Sequence, residues 1–295
     1  MIRPSYRYFV VTDPASVSNP ADSFYYAHRY EQAIDAYILL IAKEGSGNDL
    51  LFNLAGSYAL AGKKDSALAR LKELADKGFF NIDYFQQNPD FISLHGLPLW
   101  KKIETQILSN LKKYEKKEGI QFPQIRHQLL NLSTNDQFTD HILFLQRAYN
   151  AYSQYDISCL RTNKAYVYKH GAQVIRQLTK RYGVLGKSKV GKDGAEAYWT
   201  IVQHADADLA MQGQILALIA EATKNDEFTR TQLAFLTDRV LKNKQEPQLY
   251  GTQFWKNPNS GKWEMYTLKD PEQVNERRKE MGLSTLEESI RTRIH

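Results

Sequence analysis

Residues 51–58 read LFNLAGSY, and together with Gly62, Ala67 and Leu71 they decide the fold of the first third of the chain. The same alternation of small and large residues occurs about 34 positions earlier. Five pairs of positions share this spacing: Ala21 with Ala55, Phe24 with Tyr58, Ala33 with Ala67, Tyr37 with Leu71, and Leu40 with Leu74. A period of this length is typical of paired helices that stack into an array. The stretch therefore predicts two consecutive helical hairpins.

Each predicted hairpin has a polar break between its two helices. The break lies at 28–30 in the first unit and at 62–65 in the second. Ala33 and Ala67 occupy corresponding positions after these breaks. Small residues allow the two helices of a pair to approach each other closely. We therefore expect both alanines to be buried between paired helices.

The segment after the two repeats supplies apolar residues for a third pair of helices. It contains the sequence NPDF at 88–91. Asn88 is a suitable N-cap residue, and Pro89 fits the first helical position, where its missing N–H costs nothing. We expect four large side chains to face back onto the repeats: Phe91, Leu94, Trp100 and Ile103.

The repeat units resemble tetratricopeptide repeats, and the resemblance covers about residues 21–110. The ending with GF, NPDF, L and W is similar to one that follows such units in many bacterial proteins. Tetratricopeptide arrays bind protein partners on the face formed by the first helix of each pair. The resemblance therefore implies an interaction or scaffolding role, with Asp49, Phe52 and Leu60 as partner-binding residues. The alternative is that the array only docks against the rest of the chain.

Charge and composition predict two domains joined by a charged linker. The chain has 295 residues, of which 42% are hydrophobic, enough for two packed cores. Residues 111–124 are rich in Lys and Glu, and we predict a linker there. The net charge of +6 includes lysine pairs at 101–102, 112–113 and 116–117. These pairs permit a weaker hypothesis, nucleic-acid binding, although aromatic residues do not alternate with them.

The second predicted domain, 125–295, is helical except for one β-hairpin. Apolar residues recur at helical spacing through most of it. The pattern changes at about 250–268, where two alternating stretches flank the turn sequence Asn-Pro-Asn-Ser-Gly at 257–261. We therefore predict a mainly α protein, with tetratricopeptide-type hairpins followed by a helical domain that carries one β-hairpin near its C-terminus.

Three motifs in this domain resemble those of a widespread bacterial domain of unknown function. They are VQHAD at 202–206, LTDRV at 236–240 and YGTQ at 250–253, and the resemblance covers about residues 125–290. It implies no established activity. The pair Asp136-Gln137 corresponds to a "DQ" near the start of that domain, but Thr139 stands where the resemblance leads us to expect an arginine.

His204 is the first catalytic candidate. Apolar residues flank it at helical spacing, and an imidazole beside a buried face can act as a general base or as a ligand. Asp206 is close in the chain and is a candidate ligand-binding residue. The structural alternatives are a core histidine bonded to a backbone carbonyl and an aspartate that caps the next helix.

Four further residues complete the candidate site. Arg181 and Arg239 are candidate cations for a small polar or anionic substrate, and Gln253 and Tyr250 come from a glycine-containing strand start. Asp238 precedes Arg239, and adjacent residues on a helix point in different directions, so we expect only one of the two in a site. Together with His204 and Asp206, these residues define the alternative to a scaffolding function. That alternative is an enzyme that acts on a small polar or anionic substrate.

Other chemistries find little support in the sequence. It has neither an HExxH motif nor a Cys/His cluster of zinc spacing, so we expect no metal and no cofactor. The Gly-Lys-Ser at 186–188 lacks the first glycine of a phosphate-binding loop, and Cys159 is the only cysteine. We expect a cytoplasmic protein from the chain as it stands, or a periplasmic one if an export signal is missing from this sequence.

Overall fold

The computed structural model describes residues 20–149, 154–257 and 259–294. The chain divides into two compact units. Unit 1 comprises the chain up to Gly119 together with 137–157, and unit 2 comprises 120–136 and 158–295. The protein is predominantly α-helical, as the sequence predicts. No helix in the described part of the chain is long and apolar enough to cross a membrane.

Unit 1 begins with helices that pack in consecutive antiparallel pairs. Its elements are α1 (Pro20–Tyr26), α2 (Tyr30–Glu44), α3 (Asn48–Leu60), α4 (Lys64–Asp76), α5 (Ile82–Gln87), a 3₁₀ helix (Pro89–Leu94) and α6 (Pro98–Glu118). The breaks between α1 and α2 and between α3 and α4 fall at the two polar turns that the sequence indicates. The predicted helical hairpins are therefore present.

The equivalent small residues of the two hairpins lie in the core of unit 1. Ala33 and Ala67 are fully buried, and so are Tyr37 and Leu71, which follow them by one helical turn. A Leu→Ala change at a fully buried position such as Leu71 costs about 2–5 kcal/mol, because it removes apolar contacts and leaves a cavity. The repeat period thus corresponds to a repeat of buried positions.

The segment after α4 closes the core with aromatic residues. The Asn88 side chain accepts a hydrogen bond of 2.9 Å from the Asp90 amide and caps the 3₁₀ helix. The rings of Phe85 and Trp100 stack with centroids 3.9 Å apart. Phe91 packs edge-on against Phe52 of α3 with centroids 5.0 Å apart. The third layer predicted from NPDF therefore covers the second hairpin.

The predicted linker at 111–124 is largely helical. Residues up to Glu118 continue α6, and Leu111 is buried in the core of unit 1. The helix ends at Gly119, which has a φ of 62° in the left-handed region that glycine adopts readily. Lys and Glu are good helix formers, so a charged composition did not exclude a helix. Only 119–122 separate α6 from the next helix.

Unit 2 contains long helices followed by a small hairpin. Its elements are the first part of α7 (Pro123–Tyr149), most of α8 (Gln154–Tyr182), α9 (Lys187–His204), α10 (Leu209–Thr223), α11 (Arg230–Asn243), β1 (Phe254–Lys256), β2 (Trp263–Met265), a 3₁₀ helix (Pro271–Gln273), α12 (Val274–Glu280) and α13 (Leu286–Ile294). The two strands are antiparallel, with Trp255 opposite Glu264. The predicted β-hairpin is confirmed, although its strands are shorter than 250–268.

The core of unit 2 is built around α9. Tyr198 and Val202 of this helix are fully buried among apolar residues of α7, α8, α10 and α11. A kink at Gly191, with φ 74°, divides the helix. Beside the kink, Arg126 of α7 forms a buried ion pair with Asp193, and its Nε donates a hydrogen bond of 2.8 Å to Asp193 Oδ1. This pair fixes the direction of the helix segment that ends at His204.

Candidate functional site

His204, the last residue of α9, contacts a carboxylate of α7. Its Nδ1 is 2.6 Å from Asp136 Oδ2, and its side chain is 21% exposed. The ring of Tyr168 on α8 stacks on the imidazole with centroids 4.9 Å apart and planes 18° from parallel. An ionised carboxylate only accepts hydrogen bonds, so Nδ1–H is the donor in this contact, and in the neutral form of the imidazole Nε2 is then the acceptor nitrogen. Three helices therefore fix the orientation of this imidazole.

Two buried polar atoms near His204 have no hydrogen-bond partner among the described residues. They are Oδ1 of Asp136 and Nε2 of Gln203, from residues that are 3% and 7% exposed. A buried polar group without a partner costs about 1–3 kcal/mol, so folded proteins rarely keep one without a purpose. One atom is an acceptor and the other a donor, which makes both candidates for binding a polar ligand.

Asp206 joins α11 to the loop after α9. Its carboxylate accepts hydrogen bonds from Arg239 Nε at 2.8 Å and Arg239 Nη2 at 2.6 Å, and from Asn243 at 2.7 Å. The Nζ of Lys242 is 3.9 Å away. Asp206 follows His204 by two residues, so their Cα atoms are at most about 7.6 Å apart. The ion pair and the histidine therefore lie in one region of unit 2.

The charges of this region shift two pKa values. Burial alone would raise the pKa of Asp206, but the hydrogen bonds and charge of Arg239, with Asn243, lower it to about 2. Burial and the neighbouring Arg239 lower the pKa of Lys242. Two cationic side chains thus face one ionised carboxylate at Asp206, while a second carboxylate, Asp136, lies at His204.

Gln212 of α10 links the end of α9 to α11 through hydrogen bonds. Its Nε2 donates hydrogen bonds to the carbonyls of Val202 at 3.0 Å and Gln203 at 3.1 Å, and its Oε1 accepts one from Asn243 at 3.0 Å. The N-cap of α10 is Asp208, whose carboxylate accepts from the Met211 amide. The alternative interpretation of Asp206 as that cap is therefore wrong, because Asp206 binds Arg239 instead.

Asp238 shapes the loop that carries Gln253. It is fully buried and accepts hydrogen bonds from the amides of Leu249 at 2.7 Å and Thr252 at 2.9 Å, and from the Thr252 hydroxyl at 2.9 Å. Arg239 points the other way and lies 3.5 Å from Gln253 Oε1 through its Nη1. As expected for neighbouring helical residues, only Arg239 reaches the region of Asp206.

The structure joins three of the six residues expected in this domain, because Arg239 bonds Asp206 and lies 3.5 Å from Gln253. His204 is two residues from Asp206 in the chain, and its described contacts are with Asp136 and Tyr168. Arg181 is exposed at the end of α8 with its guanidinium over the Tyr182 ring, 5.1 Å from the ring centre. Tyr250 is half-buried, and its backbone bonds to Asp238 and Arg278. Neither residue has a described contact with His204.

Sequence reasoning missed several residues of this region. Asp136, the aspartate of the "DQ" pair, is the partner of His204. Gln203 belongs to the VQHAD motif but was not chosen as a candidate. Asn243 and Lys242 lie four and three residues after Arg239, the spacing of one helical face. That spacing was a usable signal. Tyr168 gave none, because the sequence did not relate α8 to His204. Within the described ranges, no three His, Cys, Asp or Glu side chains form a metal-binding group.

The partner-binding residues expected in unit 1 differ in accessibility. Leu60 is exposed and Asp49 is half-buried, but Phe52 is 2% exposed. It packs against Phe91 and, at a centroid distance of 4.4 Å, against Tyr84. The expectation that Phe52 lies open to a partner does not match this packing, because the chain's own NPDF segment covers it.

Tyrosines from α1, α2 and α5 lie around Asp90, next to α3. Tyr25 of α1 donates a hydrogen bond of 2.5 Å to Asp90 Oδ2. The same oxygen lies against Gly56 of α3, where an added Cβ would be 2.6 Å away. Burial and then the charge of Asp90 raise the pKa values of Tyr25, Tyr30 and Tyr84. We call these three tyrosines and Asp90 the tyrosine cluster.

The lysine pairs considered for nucleic-acid binding all lie on α6 and are exposed. The second and third pairs follow the first by three or more helical turns. A spacing of 11 residues brings side chains back to nearly the same face of an α-helix. The exposed face of α6 is therefore basic.

Comparisons with known proteins identify the second half of the chain. No curated protein and no solved structure matches the chain. The N-terminal helical hairpins have no match to a tetratricopeptide family. Residues 123–294 match a "Family of unknown function (DUF6624)", and this range includes the VQHAD, LTDRV and YGTQ motifs. Because the match spans more than half of the 295 residues, the chain belongs to the DUF6624 family.

Proposed function

We propose that the DUF6624 domain is an enzyme that binds a small polar or anionic molecule and uses His204 as its general base. The observation that carries this proposal is the 2.6 Å contact between His204 Nδ1 and Asp136 Oδ2. A carboxylate that holds the Nδ1 proton fixes the ring and leaves Nε2 to accept a substrate proton. The reaction class that fits these groups is proton abstraction from water or from a substrate hydroxyl.

Two buried atoms without a partner, one on Asp136 and one on Gln203, support a ligand site in this part of unit 2. Oδ1 of Asp136 would accept a hydrogen bond from the ligand, and Nε2 of Gln203 would donate one. Specificity follows when a ligand satisfies both atoms, because a ligand that lacks either group leaves a buried polar atom unpaired.

The two cations around Asp206 support an anionic group on the ligand at that end of the site. Arg239 and Lys242 face a single carboxylate, Asp206. Lys242 is a mostly buried lysine, with a side chain 17% exposed and Nζ as far as 3.9 Å from that carboxylate. A carboxylate or phosphate on the ligand would offset the remaining charge and would be held near His204.

A thermal-shift screen against common anionic metabolites tests this proposal. We expect at least one compound to raise the unfolding midpoint of the wild-type chain and not that of His204→Ala. His170→Ala is the matched control, since His170 is exposed on α8 and its ring stacks on Tyr166, away from Asp136. The same shift in His204→Ala as in the wild type would show that His204 takes no part in binding.

A turnover assay with the compound found by the screen separates an enzyme from a binding domain. Asp136→Asn keeps the size of the side chain but no longer requires the Nδ1–H tautomer of His204. We expect kcat to fall by about 10²–10⁴ in that variant, the range that general-base catalysis contributes. Binding without any turnover in the wild type would show that the domain only binds its ligand and would contradict the proposed enzymatic function.

We also propose that unit 1 recruits a protein partner, as its resemblance to tetratricopeptide arrays implies. The observation that favours this second role is the tyrosine cluster, whose half-buried side chains come from α1, α2 and α5. Quantitative co-purification with the full chain and with Tyr25→Ala tests it. A set of bound proteins unchanged by the substitution would contradict recruitment through this cluster.

A further inference from the structure

Asp90 carries a partly buried carboxylate that pairs with no cation among the described residues. Its carboxylate accepts one hydrogen bond among the described residues, from Tyr25, and no lysine, arginine or histidine of that part of the chain pairs with it. Burial raises the pKa of Asp90, against the effect of the Tyr25 hydrogen bond. The chain as a whole carries a net charge of +6, yet no cationic side chain among the described residues pairs with this carboxylate.

Aromatic rings surround this carboxylate. The Tyr25 and Tyr30 rings meet edge-on with centroids 6.1 Å apart, and Tyr26 meets Tyr25 at 5.3 Å. The charge of Asp90 also raises the pKa of the Tyr84 phenol, after the larger effect of burial. Tyrosine faces attract ammonium groups through the ring quadrupole, and a nearby carboxylate adds charge attraction. The combination of phenol rings and one carboxylate fits an alkylammonium group.

The backbone around the carboxylate holds it in position. Asp90 follows Pro89 at the start of the 3₁₀ helix, and the Asn88 side chain caps its amide. Gly56 lets Oδ2 approach α3 more closely than any other residue would allow, since a Cβ there would be 2.6 Å away. The carboxylate therefore does not have to reorganise to meet a cation, which favours binding.

We propose that the tyrosine cluster binds the ammonium group of a lysine side chain presented by a protein partner. The proposal rests on the recruitment role of unit 1 and names the chemistry that the partner must carry. The NPDF segment covers the inner part of α3, so the partner's lysine would enter beside Tyr25 and Tyr30 and not at Phe52. Because the attraction is charge-dependent, binding should weaken as salt rises.

The test titrates the full-length chain with the peptide acetyl-Gly-Lys-Gly-amide, followed by NMR of ¹³C-labelled tyrosine rings. We expect saturable shifts of the rings of the tyrosine cluster. Asp90→Asn keeps the shape of the side chain and its ability to accept from Tyr25, so the fold should survive. In that variant we expect affinity to fall by about tenfold. Asp35→Asn, an exposed change of equal charge on α2, should leave affinity unchanged.

Two further ligands separate this inference from the recruitment proposal. The peptide with an acetylated lysine has the same backbone without the charge, and equal binding of it would overturn the ammonium site while leaving recruitment intact. Butylammonium carries the same charged group without a peptide, so it should compete with the lysine peptide for the same rings, and a failure to compete would overturn the ammonium site. Absence of saturable shifts with the lysine peptide, or equal affinity of Asp90→Asn, would also overturn the inference.

Discussion

Asp206 and Arg239 form a two-pronged ion pair, with Oδ1 2.8 Å from Nε and Oδ2 2.6 Å from Nη2. The pair joins the last residue of VQHAD to the fourth residue of LTDRV. Two motifs that are separate in the sequence are therefore in contact in the structure. Gln253 of YGTQ is connected to the same guanidinium at 3.5 Å. The three motifs of the DUF6624 family are thus linked through Arg239.

Replacement of Arg239 should weaken the link between α11 and the loop that joins α9 to α10. Arg239→Ala leaves Asp206 with Asn243 and the distant Lys242, and we expect a loss of about 1–2 kcal/mol, since the pair is partly exposed. Arg239→Lys keeps the charge but not the two-pronged geometry, so its loss should be intermediate. Hydrogen exchange of the α10 and α11 amides measures both. Equal protection in all three proteins would contradict a stabilising pair.

The Asp206 carboxylate should make stability depend on pH in the acid range. Its folded pKa of about 2 is below the ordinary value of 3.8. The stabilisation is therefore fully present above about pH 4 and is lost as the pH falls through about 2. Because the side chain is 39% exposed, we discount the shift to about 1 kcal/mol. Wild type should exceed Asp206→Asn by this amount at pH 6 and match it near pH 2 in denaturant unfolding.

A difference between wild type and Asp206→Asn that stays constant from pH 6 to pH 2 would contradict the lowered pKa. Asp208→Asn provides a comparison, because Asp208 is an N-cap paired with the exposed Arg176. Its variant should show a smaller difference over the same range.

Asp238 should be the most sensitive aspartate of unit 2. Asp238→Asn places an amide group among the N–H donors of the loop 249–252, and we expect a loss of about 2–4 kcal/mol. Asp270→Asn is the control, because Asp270 is exposed and keeps an αL conformation that Asn tolerates. Denaturant unfolding compares the two. Similar small losses would mean that Asp238 does not hold the loop.

Two glycines of unit 2 should respond in opposite directions to alanine. Gly191 has φ 74°, and a Cβ there would lie 2.8 Å from Ile120, so Gly191→Ala should destabilise by about 1–3 kcal/mol. Gly213 lies within α10 with open space around its Cβ position, so Gly213→Ala should stabilise by about 0.5–1 kcal/mol. Thermal unfolding of both variants measures the contrast. A stabilised Gly191→Ala would contradict the kink.

The repeat pattern of unit 1 allowed its helices to be predicted because it reports burial. Ala33 and Ala67 are buried in the positions that the period assigned to them. The helical character of the first part of the linker was not predicted, because Lys and Glu are compatible both with an exposed helix and with a connecting segment, and only Leu111 marks the buried face. The boundary between the two units, at 119–120, lies within the predicted 111–124. Phe52 was misjudged because the period alone cannot tell that a later segment of the same chain covers it.

The candidate site of unit 2 could be predicted only in part. The motifs that carry His204, Asp206, Arg239 and Gln253 were visible, and the structure links them. The contact of His204 with Asp136 joins residues of different helices, and no local spacing relates them. Arg181 was selected by residue type alone, and its exposed position at the end of α8 depends on packing that the sequence does not specify.

The tautomer of His204 tests the central claim most directly, and it needs no knowledge of the substrate. Histidine-selective ¹⁵N NMR at pH 8 distinguishes a protonated Nδ1 from a protonated Nε2. We predict that wild-type His204 carries its proton on Nδ1, bonded to Asp136, with Nε2 unprotonated, and that Asp136→Asn loses this preference. A wild-type His204 with its proton on Nε2, or with an unchanged tautomer in Asp136→Asn, would contradict the general-base role.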